Sequence, residues 1–448
     1  MAPITRSQAV RDAVSTSDTP PKDAVAEQQR SSSIRLRQTA SNQFAATEPS
    51  QHHRNNVPDE PPRFIIDLSL PPEQRYLEVC AAFRDEMLNL TSLFDEVVGG
   101  MVSLISITWL RRICKLCLRR IYNEEENAEL KGISRATGVE MYLLVCFNVL
   151  LDLFMGCSSG GATVRAGADM NSKSKMVHFR TLDWGMPALR RVTVQLDYVA
   201  EKDGPVIASS ITYVGFVGVL TGVRKNLSMS LNFRANRVDN GHFWSDAKYV
   251  WHLLMVLLGQ RPSISSVLRR FLLPHRKKMW YSWLPFTKPG EAITLGYFDI
   301  VRQIGGHSEK DHISAVVRSN DEFMVVTNAD STPPVLAKSD AKGLSPMEAA
   351  LQELTEEAKT REQCAIGNWA NMRAAKANRF GLHILSEQDI KTLSEFDEVV
   401  EMVQKYPTTN ECTHLACVMD PVEGKVAWCR RWIEPISAKW IREHTSYT

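Results

Sequence analysis

A single cysteine marks the point where the periodicity of this chain changes. Upstream, the alternating stretch Pro61 to Leu70 predicts one strand, closed by Pro71-Pro72. Apolar residues then recur at helical spacing from Glu73 to about Leu90 and from Leu93 to about Tyr122. Glu124 to Leu130 adds a short helix, and Val139 to Phe154 is an apolar one. The block stops at Phe154-Met155-Gly156-Cys157-Ser158-Ser159. Downstream the spacing turns to strands at 176–182, 190–199, 206–213 and 225–233, with turn signals at Asp203-Gly204-Pro205 and Gly222. Helices follow from Ser245 to about Leu258 and from Ser263 to about Leu272, and strands return at 292–297, 312–318 and 322–327. Ser345-Pro346-Met347-Glu348 is a capping box opening a long helix that carries Arg361 and Cys364. Another helix runs from Ser386 to about Lys405, and 413–420 with 424–429 reads as a closing hairpin. Two strand groups flanking a helical group fit a layered α+β sandwich, with sheets between helices.

Composition narrows what such a sandwich does. With 44% hydrophobic residues, 23% charged and a net charge of +2 over 448 residues, the chain is an ordinary globular one with no bias towards nucleic acid. Residues 1–60 are polar, nearly free of aromatics and too poor in apolar surface to offset their ordering entropy, so a disordered tail is expected there. No run reaches the ~20 apolar residues of a membrane span. The start of the sequence shows no readable secretory signal. A cytoplasmic or peripheral membrane setting is therefore expected, with a lysosome- or vacuole-like compartment if a signal was missed. The nine cysteines are an odd number, and most sit in apolar stretches as core thiols. Cys114 and Cys117 have CxxC spacing, but no second pair completes a zinc site, so no metal is expected.

Cys157 stands apart from the other thiols by its neighbours. Cut before it, the chain would begin with a cysteine whose own α-amine, with a reference pKa of about 8, can serve as general base. Gly156 offers a carbonyl with no side chain to block attack by the thiol. Past a polar loop at 160–175 come Arg180 and Asp183, which a regular strand would send to opposite faces. A bend near Leu182-Asp183-Trp184-Gly185 is expected to bring both to one site. Asn232 ends one strand and Asn328 closes another, where each reads equally as an ordinary turn or strand-end residue.

The order of Cys157, Arg180-Thr181-Leu182-Asp183 and Trp184-Gly185 resembles the N-terminal-nucleophile cysteine hydrolases, in particular the acid ceramidase and N-acylethanolamine acid amidase branch of the choloylglycine hydrolase-like group. Leu68 to Arg75, Glu129 to Ser134 and Gly215 to Arg234 extend the likeness, which covers roughly residues 62–430. The resemblance implies a four-layer αββα catalytic domain over 157–448 and a helical pro-segment over 61–156, cut between Gly156 and Cys157, with the chains remaining associated. It implies amide hydrolysis of an N-acyl lipid, ceramide to fatty acid and sphingoid base, without cofactor or metal, the alternative being an N-acylethanolamine or other acylamide hydrolase or acyltransferase on the same fold. It assigns Cys157 as nucleophile, Arg180 and Asp183 to orient it, Asn232 at the pocket edge and Asn328 as oxyanion donors, and Arg361 as a second arginine. Two features depart from the family: Phe233 stands where acid ceramidases carry a glutamate, and the 160–175 loop is longer and basic.

Two rival readings come from the residues alone. A papain-like enzyme would use His178 as base. An inactive descendant would keep only a lipid-binding surface. For such a surface, the basic and aromatic run 277–286 suits contact with an anionic bilayer, and Met101 to Tyr122 reads equally as a membrane-facing or a buried amphipathic helix.

Overall fold

The computed structural model describes residues 59–91, 107–150, 156–167, 173–233, 255–256, 258–273, 291–296, 300–304, 317–328, 346–379 and 394–444. Residues 1–58 of the tail expected over 1–60, most of the helix expected over 245–258 and the aromatic run 277–286 lie outside them.

Among the described residues the strands form two sheets. The larger has the order β1-β4-β5-β6-β7-β8-β9-β10, from β1 (Arg63–Asp67), β4 (Thr193–Val199), β5 (Val206–Tyr213), β6 (Thr221–Arg224), β7 (Leu227–Phe233), β8 (Glu291–Gly296), β9 (Val301–Ile304) and β10 (Val317–Asn320). The smaller has the order β11-β2-β3-β12-β13, from β11 (Phe323–Val326), β2 (Gly156–Arg165), β3 (Ser174–Asp183), β12 (Thr413–Asp420) and β13 (Lys425–Arg431). Between the sheets lie His178 and Arg180 of the smaller sheet, bonded to Ser228, Ser230 and Asn232 of the larger, while Met229, Leu231 and Ile293 alternate to the larger sheet's helix-covered face. Both faces of β3 and β12 are buried, because a sheet inside a four-layer fold has no solvent side.

Helices cover the outer faces. α7 (Pro346–Arg379) and α8 (Phe396–Gln404) lay Ala365, Trp369, Val399 and Val403 on Ala162, Val177, Phe179 and Val418 of the smaller sheet. On the larger sheet, α4 (Glu124–Thr137), α5 (Met141–Leu150) and α6 (Ile264–Leu272) add Leu130, Ile133, Leu144, Leu268 and Leu272 to the core. Shorter helices α1 (Leu77–Ala82), α2 (Arg84–Asn89) and α3 (Ile107–Cys117) precede α4, and α9 (Ala438–His444) closes the described chain. The architecture is the αββα sandwich expected.

The segment 61–156 is not a separate body. β1 pairs in parallel with β4, Arg63 opposite Gln195, and supplies one edge of the larger sheet. Helix α4 is further tied to α6 by a buried ion cluster. The Glu129 carboxylate, wholly buried, accepts two hydrogen bonds from the Arg269 guanidinium, one of them at 2.7 Å, and a third from Arg75 at 3.0 Å. Ser266 adds a bond to Glu126 at 2.9 Å.

Four local expectations are revised. The helix begun at Glu124 continues to Thr137, capped at its start by the Asn123 side chain on the Glu125 N–H and ended by left-handed Gly138. The expected loop over 160–175 is strand at both ends: β2 runs to Arg165 and pairs residue for residue with β3 from Ser174. Its Gly160 reads as a loop residue in sequence, but a Cβ there would overlap the Met324 carbonyl and the Phe179 ring, so close packing of β2 against its neighbours requires glycine. Gly222 likewise sits inside β6, the turn falling at Lys225-Asn226 instead. The helix expected from Ser386 is described only from Phe396, where Glu395 and Glu398 form a capping box.

Candidate active site

Cys157 is the second residue of β2, opposite Leu182 of β3. Strand alternation turns its thiol into the space between the sheets, and on β3 the same alternation sends Arg180 to that side and Asp183 to the other. The bend expected to bring Arg180 and Asp183 to one face is absent. They reach Cys157 from opposite sides, one at its sulfur and the other near its backbone nitrogen.

On the thiol side, Arg180 Nη2 donates to Cys157 Sγ at 3.2 Å, and Nη1 donates to the Leu231 carbonyl at 2.7 Å and to Asn232 Oδ1 at 3.2 Å. The side chain is fully buried, and its partners are a carbonyl, an amide and a thiol, with no carboxylate at ion-pair distance among the described residues. Asn232 is held from two further sides. Ser159 donates to its Oδ1 at 2.6 Å, and its Nδ2 donates to the Val326 carbonyl at 3.4 Å. It is fully buried between the sheets rather than at a pocket edge.

On the nitrogen side, the Cys157 N–H donates to Asn328 Oδ1 at 2.8 Å, and Arg361 Nη2 donates to the same oxygen at 2.8 Å. Two donors on one oxygen fix the orientation of the Asn328 amide. Arg361, reaching in from α7, also gives Nη1 to Ser158 Oγ at 2.9 Å and to Asp183 Oδ2 at 3.1 Å. The residues expected at the site (Cys157, Arg180, Asp183, Asn232, Asn328 and Arg361) thus lie in one continuous network, and each is almost wholly buried.

Asp183 is the most heavily supported of them. Burial pushes its carboxyl above the usual range, while Arg361, hydrogen bonds from Thr413 and Thr181, and the charge of Arg180 pull it back. Thr413 donates to Oδ1 at 2.6 Å. The Asn410 N–H donates to the same threonine oxygen at 2.8 Å, so the Thr413 proton is directed to the carboxylate. Thr413 reaches this position through a bulge. Thr413 faces Asp183 and Leu415 faces Leu182, leaving His414 as the extra residue. His414 is itself clamped: Nε2–H donates to the Trp184 carbonyl at 2.9 Å and Nδ1 accepts from Tyr213 at 2.7 Å. Thr413, Thr181 and the bulge escaped sequence reading, because nothing in a hairpin pattern singles out one threonine. Ser158 and Ser159 were visible only as neighbours of the cysteine.

His178 does not serve as base for Cys157. It lies four positions along β3 from the residue opposite Cys157, roughly 13 Å away at strand spacing. Its ring nitrogens are taken by Ser228 at 2.9 Å and Ser230 at 3.0 Å. Burial, then the charge of Arg180, lowers its pKa to about 3. The remaining buried thiols are core: burial pushes Cys80, Cys146 and Cys417 up to about 12. Among the described residues no cluster of three or more His, Cys, Asp or Glu is arranged to hold a metal ion. Phe233, where acid ceramidases carry a glutamate, ends β7 opposite Glu291.

Two facing sheets between helices, with a buried cysteine near the start of β2, make an αββα sandwich. The family model described as the beta subunit of N-acylethanolamine-hydrolyzing acid amidase matches residues 59–122. The chain is 28% identical to the N-acylethanolamine-hydrolyzing acid amidase of Caenorhabditis elegans over 39% of its own length and 48% of that protein's. It is 27% identical to the acid ceramidase of Mus musculus over 39% of its own length and 45% of that protein's. A solved structure of the Caenorhabditis elegans N-acylethanolamine-hydrolyzing acid amidase ortholog aligns with TM-score 0.32 and 18% identity over 59% of this chain and 93% of that one. The matched region spans about half the length of these curated relatives. The chain is thus similar to members of the acid ceramidase and N-acylethanolamine acid amidase family.

Proposed function

We propose that this protein is an amidohydrolase of N-acyl lipids that makes its own nucleophile by cleavage between Gly156 and Cys157. The observation that carries the reading is the division of labour around Cys157, with a cation at its sulfur and an amide–arginine–carboxylate chain at its nitrogen. In the uncut chain the thiol attacks the Gly156 carbonyl, the peptide nitrogen of Cys157 leaves as an amine, and water hydrolyses the resulting thioester. Cleavage turns the nitrogen now held by Asn328 into the α-amine.

The mature enzyme repeats the chemistry on its substrate. A cation beside a thiol favours the ionised, nucleophilic form. Cys157 attacks the amide carbonyl, its α-amine passes the proton to the departing amine, and water releases the fatty acid from the thioester. Asn328 and Asn232 are the oxyanion donors in this scheme, Arg180 activates the sulfur, and Asp183 with Arg361 fixes the amine. Ceramide is the substrate favoured by the family likeness, with N-acylethanolamines as the alternative. The segment 61–156 stays bound after cleavage, held by β1 in the larger sheet and by Glu129 on Arg269.

Intact mass and N-terminal sequencing of wild type beside Cys157→Ala, at neutral and mildly acidic pH, test the proposal. Two chains, the larger starting at Cys157 and absent from the variant, are expected. A single uncut chain in both would overturn self-cleavage. Fatty acid release from N-acylsphingosine against N-acylethanolamine then assigns the substrate, and no release from either would favour a lipid-binding descendant.

A further inference from the structure

Arg190 is almost wholly buried, yet its acceptors are all main-chain carbonyls. It sits in a short 3₁₀ helix, Pro187–Val192, a few residues past the end of β3. Nη1 donates to the Thr413 carbonyl at 2.5 Å, to Trp432 at 3.2 Å and to Glu434 at 3.5 Å, and Nη2 donates to Glu411 at 2.6 Å. The Trp184 N–H donates to the carbonyl between them, that of Cys412, at 2.8 Å. The carbonyls of 411, 412 and 413 are thus all held from residues 184–190. A buried charge without a carboxylate is a poor way to stabilise a fold. What a guanidinium offers here is geometry, a rigid fork that reaches several carbonyls at once. Those carbonyls belong to the segment that delivers Thr413, at the point where β12 slips register against β3. Thr413 therefore has its carbonyl on Arg190 and its hydroxyl on Asp183.

We propose that Arg190 is a positioning residue for cleavage at Gly156: it pins the main chain of 411–413 so that the Thr413 hydroxyl stays on the Asp183 carboxylate. The role rests on the self-cleavage proposed above. Without the pin the bulge relaxes, the carboxylate loses a donor to its charged form, and Asp183 ionises at higher pH. Facing that carboxyl are Arg361 from α7, Arg180 and Thr181 from its own strand, Thr413 from β12, Tyr213 from β5 and Arg190 itself. Guanidinium groups keep their charge throughout, and burial raises the Tyr213 hydroxyl, so of these groups Asp183 is the one that titrates on the acid side. His414, next in the bulge, is kept neutral by burial and then by the charge of Arg190, which a lysine in that place preserves.

The pH profile of cleavage, read by intact mass against time on freshly synthesised full chain, tests it in wild type, Arg190→Lys, Thr413→Val and the double variant. Arg190→Lys keeps the charge and loses the fork. It should move the midpoint upward by about half a unit, roughly a threefold slowing on the acid side. Thr413→Val should do the same, and the double variant should move no further than Thr413→Val alone. Shifts that add in full would overturn the proposal, because Arg190 would then act without Thr413. An unshifted profile in Arg190→Lys, shown by circular dichroism to be folded, would overturn it too. Arg190→Gln, which buries no charge, keeps the test open if the lysine variant does not fold. At least half of its shift should vanish in the Thr413→Val background, and a shift that survives there whole counts against Arg190. A wild type that never cuts would overturn the self-cleavage reading and this role with it, whereas a wild type that cuts beside unshifted variants overturns this role alone.

Discussion

Two buried arginines, Arg269 and Arg180, differ in what answers their charge. Arg269 meets the Glu129 carboxylate through two nitrogens, with the Val217 carbonyl as a further acceptor at 2.7 Å. Arg180 meets a carbonyl, an amide oxygen and the Cys157 sulfur. Burying a charge is costly unless it is paired, and the first site pairs it. The second leaves positive charge directed at a thiol, an arrangement that stabilises the fold less. Charge neutralised inside the fold joins the segment before Cys157 to the rest, whereas charge held back is placed at the residue that would react.

Breaking the first site should show in stability. Glu129→Gln leaves Arg269 without its bonded carboxylate, while Arg75 keeps Glu125, and a loss of about 3–5 kcal/mol is expected by denaturant unfolding. Replacing Glu129 and Arg269 together by apolar residues should recover part of it, and no recovery would mean that the pair sets the packing of α4 on α6. Breaking the second site should show in chemistry. Arg180→Gln should slow cleavage at Gly156 by roughly ten- to a hundredfold, the value of a hydrogen bond to a charged group, as read by intact mass against time. Equal rates would place Arg180 among the structural arginines.

A third measurement contrasts His178 with the site beside it. Its pKa is lowered to about 3 when folded, against about 6.5 when unfolded. Between those values the unfolded chain takes up a proton that the folded chain refuses. The stability present above pH 6.5 is therefore lost as pH falls towards 3. Melting temperature against pH should show this slope, and His178→Gln should flatten it without abolishing cleavage. Abolished cleavage would revive His178 as a base. The smallest effect is expected at Thr413. Thr413→Val removes one hydrogen bond from Asp183, for about 1 kcal/mol, and should shift the pH profile of cleavage upward as the carboxyl becomes harder to ionise.

Much of this molecule is legible along the chain because it depends on local spacing. The change from helical to strand periodicity at Cys157, the start of α7 at Pro346 and the hairpin β12–β13 are patterns of neighbouring residues. The strands broken by glycine were misread for the same reason. Gly160 and Gly222 lower strand propensity locally, and their purpose lies in close packing, against Met324 and Phe179 in one case and Leu272 in the other. Arg361 could be nominated only by resemblance, since nothing in α7 distinguishes it.

By itself the sequence determined that a cysteine opens the strand-rich part of the chain, that an arginine on a strand and an aspartate three residues on follow it, and that helices lie on either side in the order of a sandwich. Tertiary structure alone decided which side of Cys157 each of them serves. Arg180 reaches its sulfur because β2 and β3 pair with Cys157 opposite Leu182. Asp183 takes the other face, where α7 brings Arg361 and a one-residue bulge in β12 brings Thr413. Strand register and helix docking are set by contacts between residues far apart in the chain, and their energy appears only when those residues meet.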